Sequence, residues 1–106
     1  MKLRKFFLKV TNSTNNVAIK KIKKGISKGI VIAERQTKGR GQHGNNWVSL
    51  KGNIFISIFF EIGNNFSLNK FTVQNCLIVK EVISKFINEK IKIKKPNDIL
   101  IKNKKI

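Results

Sequence analysis

Gln36-Thr37-Lys38-Gly39-Arg40-Gly41-Gln42-His43-Gly44-Asn45-Asn46-Trp47 lies between two apolar runs and admits two architectures. Its half from Gly39 to Gly44 matches G-x-G-x-x-G. In a dinucleotide-binding fold that motif ends a strand and opens a helix whose N-terminus meets a pyrophosphate. Here Asn45-Asn46-Trp47-Val48-Ser49-Leu50 follows without a helical stripe, so the doubly wound reading fails. What is left is a polar loop from Thr37 to Gly52 with four glycines and almost no periodicity. Loops of this length in a small domain are usually functional, and a solvated glycine turn is the plain alternative.

The loop has the chemistry of a ligand grip. Arg40 stands between two glycines, which let the backbone come close to a ligand. Its guanidinium offers rigid donors to carbonyl, carboxylate or phosphate oxygens. Gln36 can give a donor and an acceptor to an amide-like group. Trp47 offers a flat apolar wall, and packing within the loop is an equal alternative for it. His43 is the only histidine and has no Cys, Asp or second His close in sequence, so it suggests neither a metal site nor a catalytic triad.

Periodicity on either side predicts β-α-β-β-α-β-β. Lys5 to Val10 reads as an opening strand. Asn12-Ser13-Thr14-Asn15 is a cluster of N-capping residues before a helix with Val17, Ala18 and Ile22 on one stripe, ended by Gly25. Gly29 to Gln36 and Asn53 to Glu61 read as strands. Leu68 to Glu89 carries a broad apolar stripe and predicts the longest helix. Lys90 to Lys95 alternates Lys with Ile like a half-buried strand, and Pro96-Asn97-Asp98 breaks it. Ile99-Leu100-Ile101 is a further strand, Lys102 to Lys105 a hairpin turn, and Ile106 begins the return. The expected class is α+β, a mixed β-sheet packed by helices, in one domain of 106 residues.

Composition narrows the partners. The net charge of +18 invites a nucleic-acid reading, but 20 Lys stand against 3 Arg, beside 17 Ile and 13 Asn. Surfaces that grip phosphate usually favour arginine, and these lysines are spread along the chain, so most are read as solvated. Cys76, the only cysteine, lies among Leu77, Ile78 and Val79 and reads as a buried, inert thiol. No apolar run approaches the roughly 18 residues of a membrane span, and the apolar stretch after Met1 stops at Lys9, too short for a signal peptide. The expectation is a cytoplasmic, reduced protein.

Four blocks in order resemble the biotin–protein ligase family. Its S-T-N stands here as Ser13-Thr14-Asn15, and its Q-T-x-G-R-G-R-x-G-x-x-W as Gln36 to Trp47. Its G-N-L-x-x-S is matched by Gly52 to Ser57, and its K-W-P-N-D by Lys94 to Asp98, followed by Lys105. The resemblance implies a catalytic domain of the class II aminoacyl-tRNA-synthetase-like biotin/lipoate ligase type. It implies an enzyme that activates biotin with ATP and Mg²⁺ and transfers it to a lysine of a biotin carboxyl carrier protein. By position, Ser13, Thr14 and Asn15 would line the ureido end of biotin and Gln36 its ring system. Gly39, Arg40, Gly41 and Gln42 would belong to the loop that closes over biotin and its adenylate. Lys105 would sit beside the carboxylate and α-phosphate, so that Arg40 and Lys105 converge there. Trp47, Asn97 and Asp98 would lie near the adenylate, with Asp98 handling the incoming lysine. Taken singly, Asp98 is also an ordinary turn residue and Lys105 one lysine among 20.

This sequence departs from the family pattern at Gln42, where a second arginine is usual, and at Lys95, where tryptophan is usual. The family continues beyond the last block with more sheet and a small barrel, so residues 1–106 are expected to be a partial domain, truncated on its C-terminal side. No DNA-binding helix-turn-helix precedes the first block, so specific DNA binding is not expected. A lipoate or octanoate ligase and a basic nucleic-acid-binding domain are the competing readings.

Overall fold

A computed structural model describes residues 2–106, apart from the side chain of Gln42. The chain forms two compact units, one through Glu61 and one from Ile62 to Ile106.

The first unit runs β1 (Arg4–Thr11), α1 (Thr14–Lys23), β2 (Gly29–Gln36), a 3₁₀ turn (Gln42–Gly44) and β3 (Phe55–Phe59). Its sheet has the order β1-β2-β3. β1 and β2 are parallel, with Phe6 opposite Val31, and α1 is their crossover; β3 pairs antiparallel to β2, with Ser57 opposite Val31. The mixed sheet expected from the sequence is therefore present. The capping cluster starts α1 at Ser13, whose side chain accepts from the Asn16 N–H at 3.4 Å. The other end closes as a Schellman motif. Gly25 takes φ +92°, its N–H bonds Ile22 O at 2.9 Å, and the Ile26 N–H bonds Lys21 O at 3.1 Å. The core is Ala18, Val31 and Phe59, with Phe6, Leu8, Val17 and Ile26 packed on it. Val31 is wholly buried, a burial worth about 2 kcal/mol. Period two thus turns Phe55, Ser57 and Phe59 inward, and Ser57 is the one polar residue among them.

The second unit holds α2 (Leu68–Ser84) and an antiparallel sheet of β4 (Ile91–Lys94), β5 (Asp98–Ile101) and β6 (Lys104–Lys105). Ser67 caps α2, and the rings of Phe66 and Phe71 meet at 5.0 Å, tilted by 57°, across the cap as a hydrophobic staple. Cys76 on α2 and Ile91 on β4 are buried. The Cys76 thiol faces the Pro96 carbonyl at 3.6 Å. Burial pushes that thiol's pKa up, and the negative charge of Asp98 adds to the rise.

Beside shifts of one or two residues at strand ends, such as β3 at Phe55–Phe59 within the expected Asn53 to Glu61, three boundaries differ from the sequence reading. α2 stops at Ser84, short of Glu89, because the N–H groups of Lys85 and Phe86 switch to carbonyls three residues back, at 3.2 and 2.9 Å. The stripe residue Phe86 is then left 82% exposed. The last hairpin turns on two residues only, Lys102 and Asn103, at φ 52° and 60°, the backbone that a two-residue hairpin requires. Lys105 consequently lies in a strand and not in the turn. Asp98 likewise begins β5, paired with Lys94, where the sequence suggested a break.

Candidate active site

The first unit gathers its candidate site side chains where β2 leaves the sheet. Beyond Gln36 the chain keeps tracking β1: the Thr37 and Lys38 N–H groups bond Thr11 O and Asn12 O at 2.9 and 2.7 Å. The glycine loop is then a small hairpin. Trp47 N–H bonds Gly39 O at 2.8 Å, Gly41 N–H bonds Asn45 O at 2.6 Å, and the tip is rounded by His43 and Gly44 at φ 57° and 76°. No α-helix opens here, in keeping with the rejected dinucleotide reading. Gly39 is buried and sterically obligatory. A Cβ there would fall 2.6 Å from Trp47 O and would overlap Ser49 Oγ.

Two cavities adjoin the loop. One of about 200 Å³ is lined by Ser13, Thr14, Asn15, Gln36, Arg40 and Ser57, with neighbours on β3. The other, about 890 Å³, is lined by Asn16, Gln36, Gly39, Arg40, Trp47 and Ser49 among others. Gln36 and Arg40 belong to both. Among the expected residues, the structure therefore brings Ser13, Thr14, Asn15, Gln36 and Arg40 around one cavity, and Gln36, Gly39, Arg40 and Trp47 around the other. Gly41 lines neither of the two. Gln42 lies in the 3₁₀ turn, and its side chain is outside the described residues.

A hydrogen-bonded series fixes the polar lining. Gln36 Oε1 accepts from the Thr14 backbone N–H at 2.8 Å and lies 3.1 Å from Thr14 Oγ1. Gln36 Nε2 donates to Ser49 Oγ at 3.1 Å, and that hydroxyl donates to Trp47 O at 3.2 Å. Thr14 Oγ1 meets Ser57 Oγ at 2.8 Å, and Ser57 in turn contacts the side-chain amide of Asn15. Arg40 is exposed and donates from Nη2 to Asn16 Oδ1, which ties the loop to the first turn of α1.

In the second unit Asn97 is exposed and Asp98 half-buried. Lys105 Nζ lies 3.2 Å from Asp98 Oδ1, so these two expected residues form an ion pair across the β5–β6 hairpin. Arg40 and Lys105 stand in different units. Ser49 and Asn16 also line the candidate site and were not singled out in the sequence; Ser57 closes the Gly52–Ser57 block but was given no role there. A further signal for Ser57 was its inward register between Phe55 and Phe59. Among the described residues no three His, Cys, Asp or Glu side chains are placed to hold a metal ion. No helix among them is long and apolar enough to cross a membrane.

The sequence model of the biotin/lipoate A/B protein ligase family matches residues 7–106. The chain belongs to that family. It is 31% identical over 102 residues to the bifunctional ligase/repressor BirA of Escherichia coli K12, covering 93% of this chain and 32% of that protein. It thus spans about a third of the length of the curated relatives it matches. Among solved structures it resembles the biotin protein ligase of Aquifex aeolicus in complex with biotin and ATP. There the TM-score is 0.82 and identity 28%, over 97% of this chain and 44% of that one. The biotin acetyl coenzyme A carboxylase synthetase of Helicobacter pylori, at TM-score 0.84 and 21% identity over 99% and 52% of the two chains, shares the fold. The α+β architecture is thus that of biotin protein ligase catalytic domains.

Proposed function

We propose that this chain supplies the biotin-binding part of a biotin–protein ligase. The enzyme makes biotinyl-AMP from biotin and ATP and transfers the biotin to a lysine of a carrier protein, a biotin carboxyl carrier domain being the acceptor that the resemblance suggests. The observation that carries the reading is the polar cavity formed by Ser13, Thr14, Asn15, Gln36 and Ser57, with Arg40 at its side. It is small, its hydrogen-bonding groups are preset, and it adjoins a wider cleft lined by the glycine loop. A compact head group in the first and a longer acyl chain with its nucleotide in the second would suit that pair.

The reaction needs no protein nucleophile. Biotin's carboxylate attacks the α-phosphorus and pyrophosphate leaves; the carrier amine then attacks the mixed anhydride and AMP leaves. The protein's task is to bring anions together and hold charge in place. By the resemblance, Arg40 in the first unit and Lys105 in the second are each assigned to the charge of the carboxylate and α-phosphate. Trp47 and Asn97 would flank the adenylate, and Gly41 and Gln42 would complete the loop. A free lysine has a pKa of about 10.4, so the carrier amine arrives protonated. Asp98 is the carboxylate assigned to orient it and take its proton. Mg²⁺ has no protein cage among the described residues; its charge would travel with the nucleotide's phosphates. A cytoplasmic location agrees with the single buried thiol.

Replacing Arg40 or Lys105 by alanine in the intact protein should cut ATP- and biotin-dependent labelling of a carrier domain about 100-fold. Unchanged labelling in both would remove the site assignment. Calorimetry with biotin against lipoate tests the substrate, and a preference for lipoate would move the protein to the other branch of its family.

A further inference from the structure

The polar lining of the smaller cavity contains a hydrogen deficit. Four oxygens follow one another: Gln36 Oε1, Thr14 Oγ1, Ser57 Oγ and Asn15 Oδ1. Three contacts join them, but only the two hydroxyls carry hydrogen, and both ends are carbonyl oxygens that can only accept. Gln36 cannot supply the missing hydrogen by turning over. Its Oε1 already receives the Thr14 backbone N–H, and its Nε2 is spent on Ser49. If Ser57 gives its hydrogen to Asn15, Thr14 can serve only one of its two neighbours. Either Thr14 Oγ1 and Gln36 Oε1 at 3.1 Å, or Thr14 Oγ1 and Ser57 Oγ at 2.8 Å, then face each other with no hydrogen between them. Thr14 and Ser57 are both buried, where such a mismatch is expensive.

One rearrangement satisfies every contact. An amide presents oxygen or nitrogen at nearly the same place, and its hydrogen-bond network decides which. We propose that the Asn15 amide is turned so that its Nδ2 donates to Ser57, Ser57 donates to Thr14, and Thr14 donates to Gln36. Ser57 is then a positioning residue. It anchors the Asn15 nitrogen and leaves the Asn15 carbonyl oxygen for the cavity, where among the described residues no protein partner faces it. Both hydroxyl hydrogens are consumed inside the series, so Thr14 and Ser57 have only lone pairs left, beside the Asn15 carbonyl oxygen; the second Asn15 N–H is the one donor that remains. This edge of the cavity favours a ligand that brings N–H groups to those oxygens. Ser57 and Asn15 thereby set specificity for a cyclic urea over an isosteric ring with oxygen in place of N–H. The ligand half of the inference rests on the biotin reading; the orientation of Asn15 does not.

Two measurements on the intact protein separate the halves. Without ligand, NMR should show nuclear Overhauser contacts from the Asn15 side-chain NH₂ to the Ser57 β-protons, lost in Ser57→Ala. An Asn15 NH₂ with no such contact in the wild type overturns the orientation. For the ligand, biotin is compared with a cyclic carbamate analogue in which a ureido N–H is replaced by oxygen. One neutral hydrogen bond corresponds to about five- to tenfold in affinity, so wild type should prefer biotin by at least that factor. Ser57→Ala should compress the preference towards unity, and Ser57→Thr, which keeps the hydroxyl, should restore it. A preference unchanged in Ser57→Ala sinks the specificity claim. A wild type that ignores biotin while keeping the NMR contact sinks the biotin reading and leaves the orientation standing.

Discussion

Adding one methyl group at Gly39 should do more damage than at any other glycine of the loop. Its Cβ would sit 2.6 Å from Trp47 O and against Ser49, the residues that close the hairpin and hold Gln36. At Gly41 the nearest atom would be 3.7 Å away, an ordinary contact. Gly39→Ala should therefore weaken biotin binding by about tenfold or more, a cost of roughly 1–3 kcal/mol for forced repacking, whereas Gly41→Ala, which leaves the loop's own packing intact, should have a smaller effect. Calorimetry measures the affinity, and Trp47 fluorescence in the same samples reports the loop. Equal affinities for the two variants would show that the loop does not need the observed backbone. Chemical type made Arg40 and Gln36 legible in the sequence: an arginine between glycines and an amide at a strand end have few structural reasons to be there. Ser57 was legible as the last residue of the Gly52–Ser57 block, but not its role. A serine in an apolar strand is common, and it is the tertiary arrangement, a long-range fact, that brings it against Thr14.

Local signals located most elements, and the largest error, at the end of α2, falls where the stop signal is weak. β2 occupies the predicted Gly29–Gln36, and α1 ends at the predicted Gly25. That glycine has open space around it, so Gly25→Ala would cost backbone strain alone, about 1 kcal/mol for φ +92°. A lower denaturant midpoint with biotin affinity unchanged is the expected result, since α1 presents Ser13 to Asn15 from its other end. α2 has no glycine or proline to mark its exit, and the apolar stripe ran past its true end. Sheet membership was equally hidden, because strand patterns do not name their partners. In the second unit Cys76 reports packing. Burial and Asp98 both favour the neutral thiol, so the folded pKa is raised above the unfolded value of about 8.5. The stability this contributes is complete below that pH. It is lost as pH rises through the interval up to the folded pKa, because the unfolded thiol ionises first. Cys76→Ser should fail to show that thiol-linked alkaline loss in denaturation curves recorded from pH 7 to 10.

Charge acts on the chain as a whole, and its sign can be worked out. With 23 basic and 5 acidic residues, most cations have no anion to pair with whatever the local geometry. Among the described residues, Lys102–Glu89 at 3.8 Å and Lys105–Asp98 at 3.2 Å are ion pairs, both with solvent-exposed lysines. Exposed pairs contribute about 0–1 kcal/mol, and salt weakens them. Salt also screens repulsion among the remaining lysines, since the Debye length falls from about 30 Å at 0.01 M to about 10 Å at 0.1 M. Repulsive pairs far outnumber attractive ones, so screening should stabilise the fold. Raising NaCl from 10 to 200 mM should increase Tm by a few degrees, with KCl equivalent and an uncharged osmolyte at the same osmolarity ineffective over that range. The same field predicts retention on duplex DNA that falls steeply with salt and ignores sequence. If Tm instead falls as NaCl is added, the few acidic residues outweigh the lysine excess, and the solvated-lysine account of the composition fails. If DNA retention depends on sequence, the basic surface is a recognition surface, and the case for a ligase built on the first unit's polar cavity would have to accommodate a second ligand.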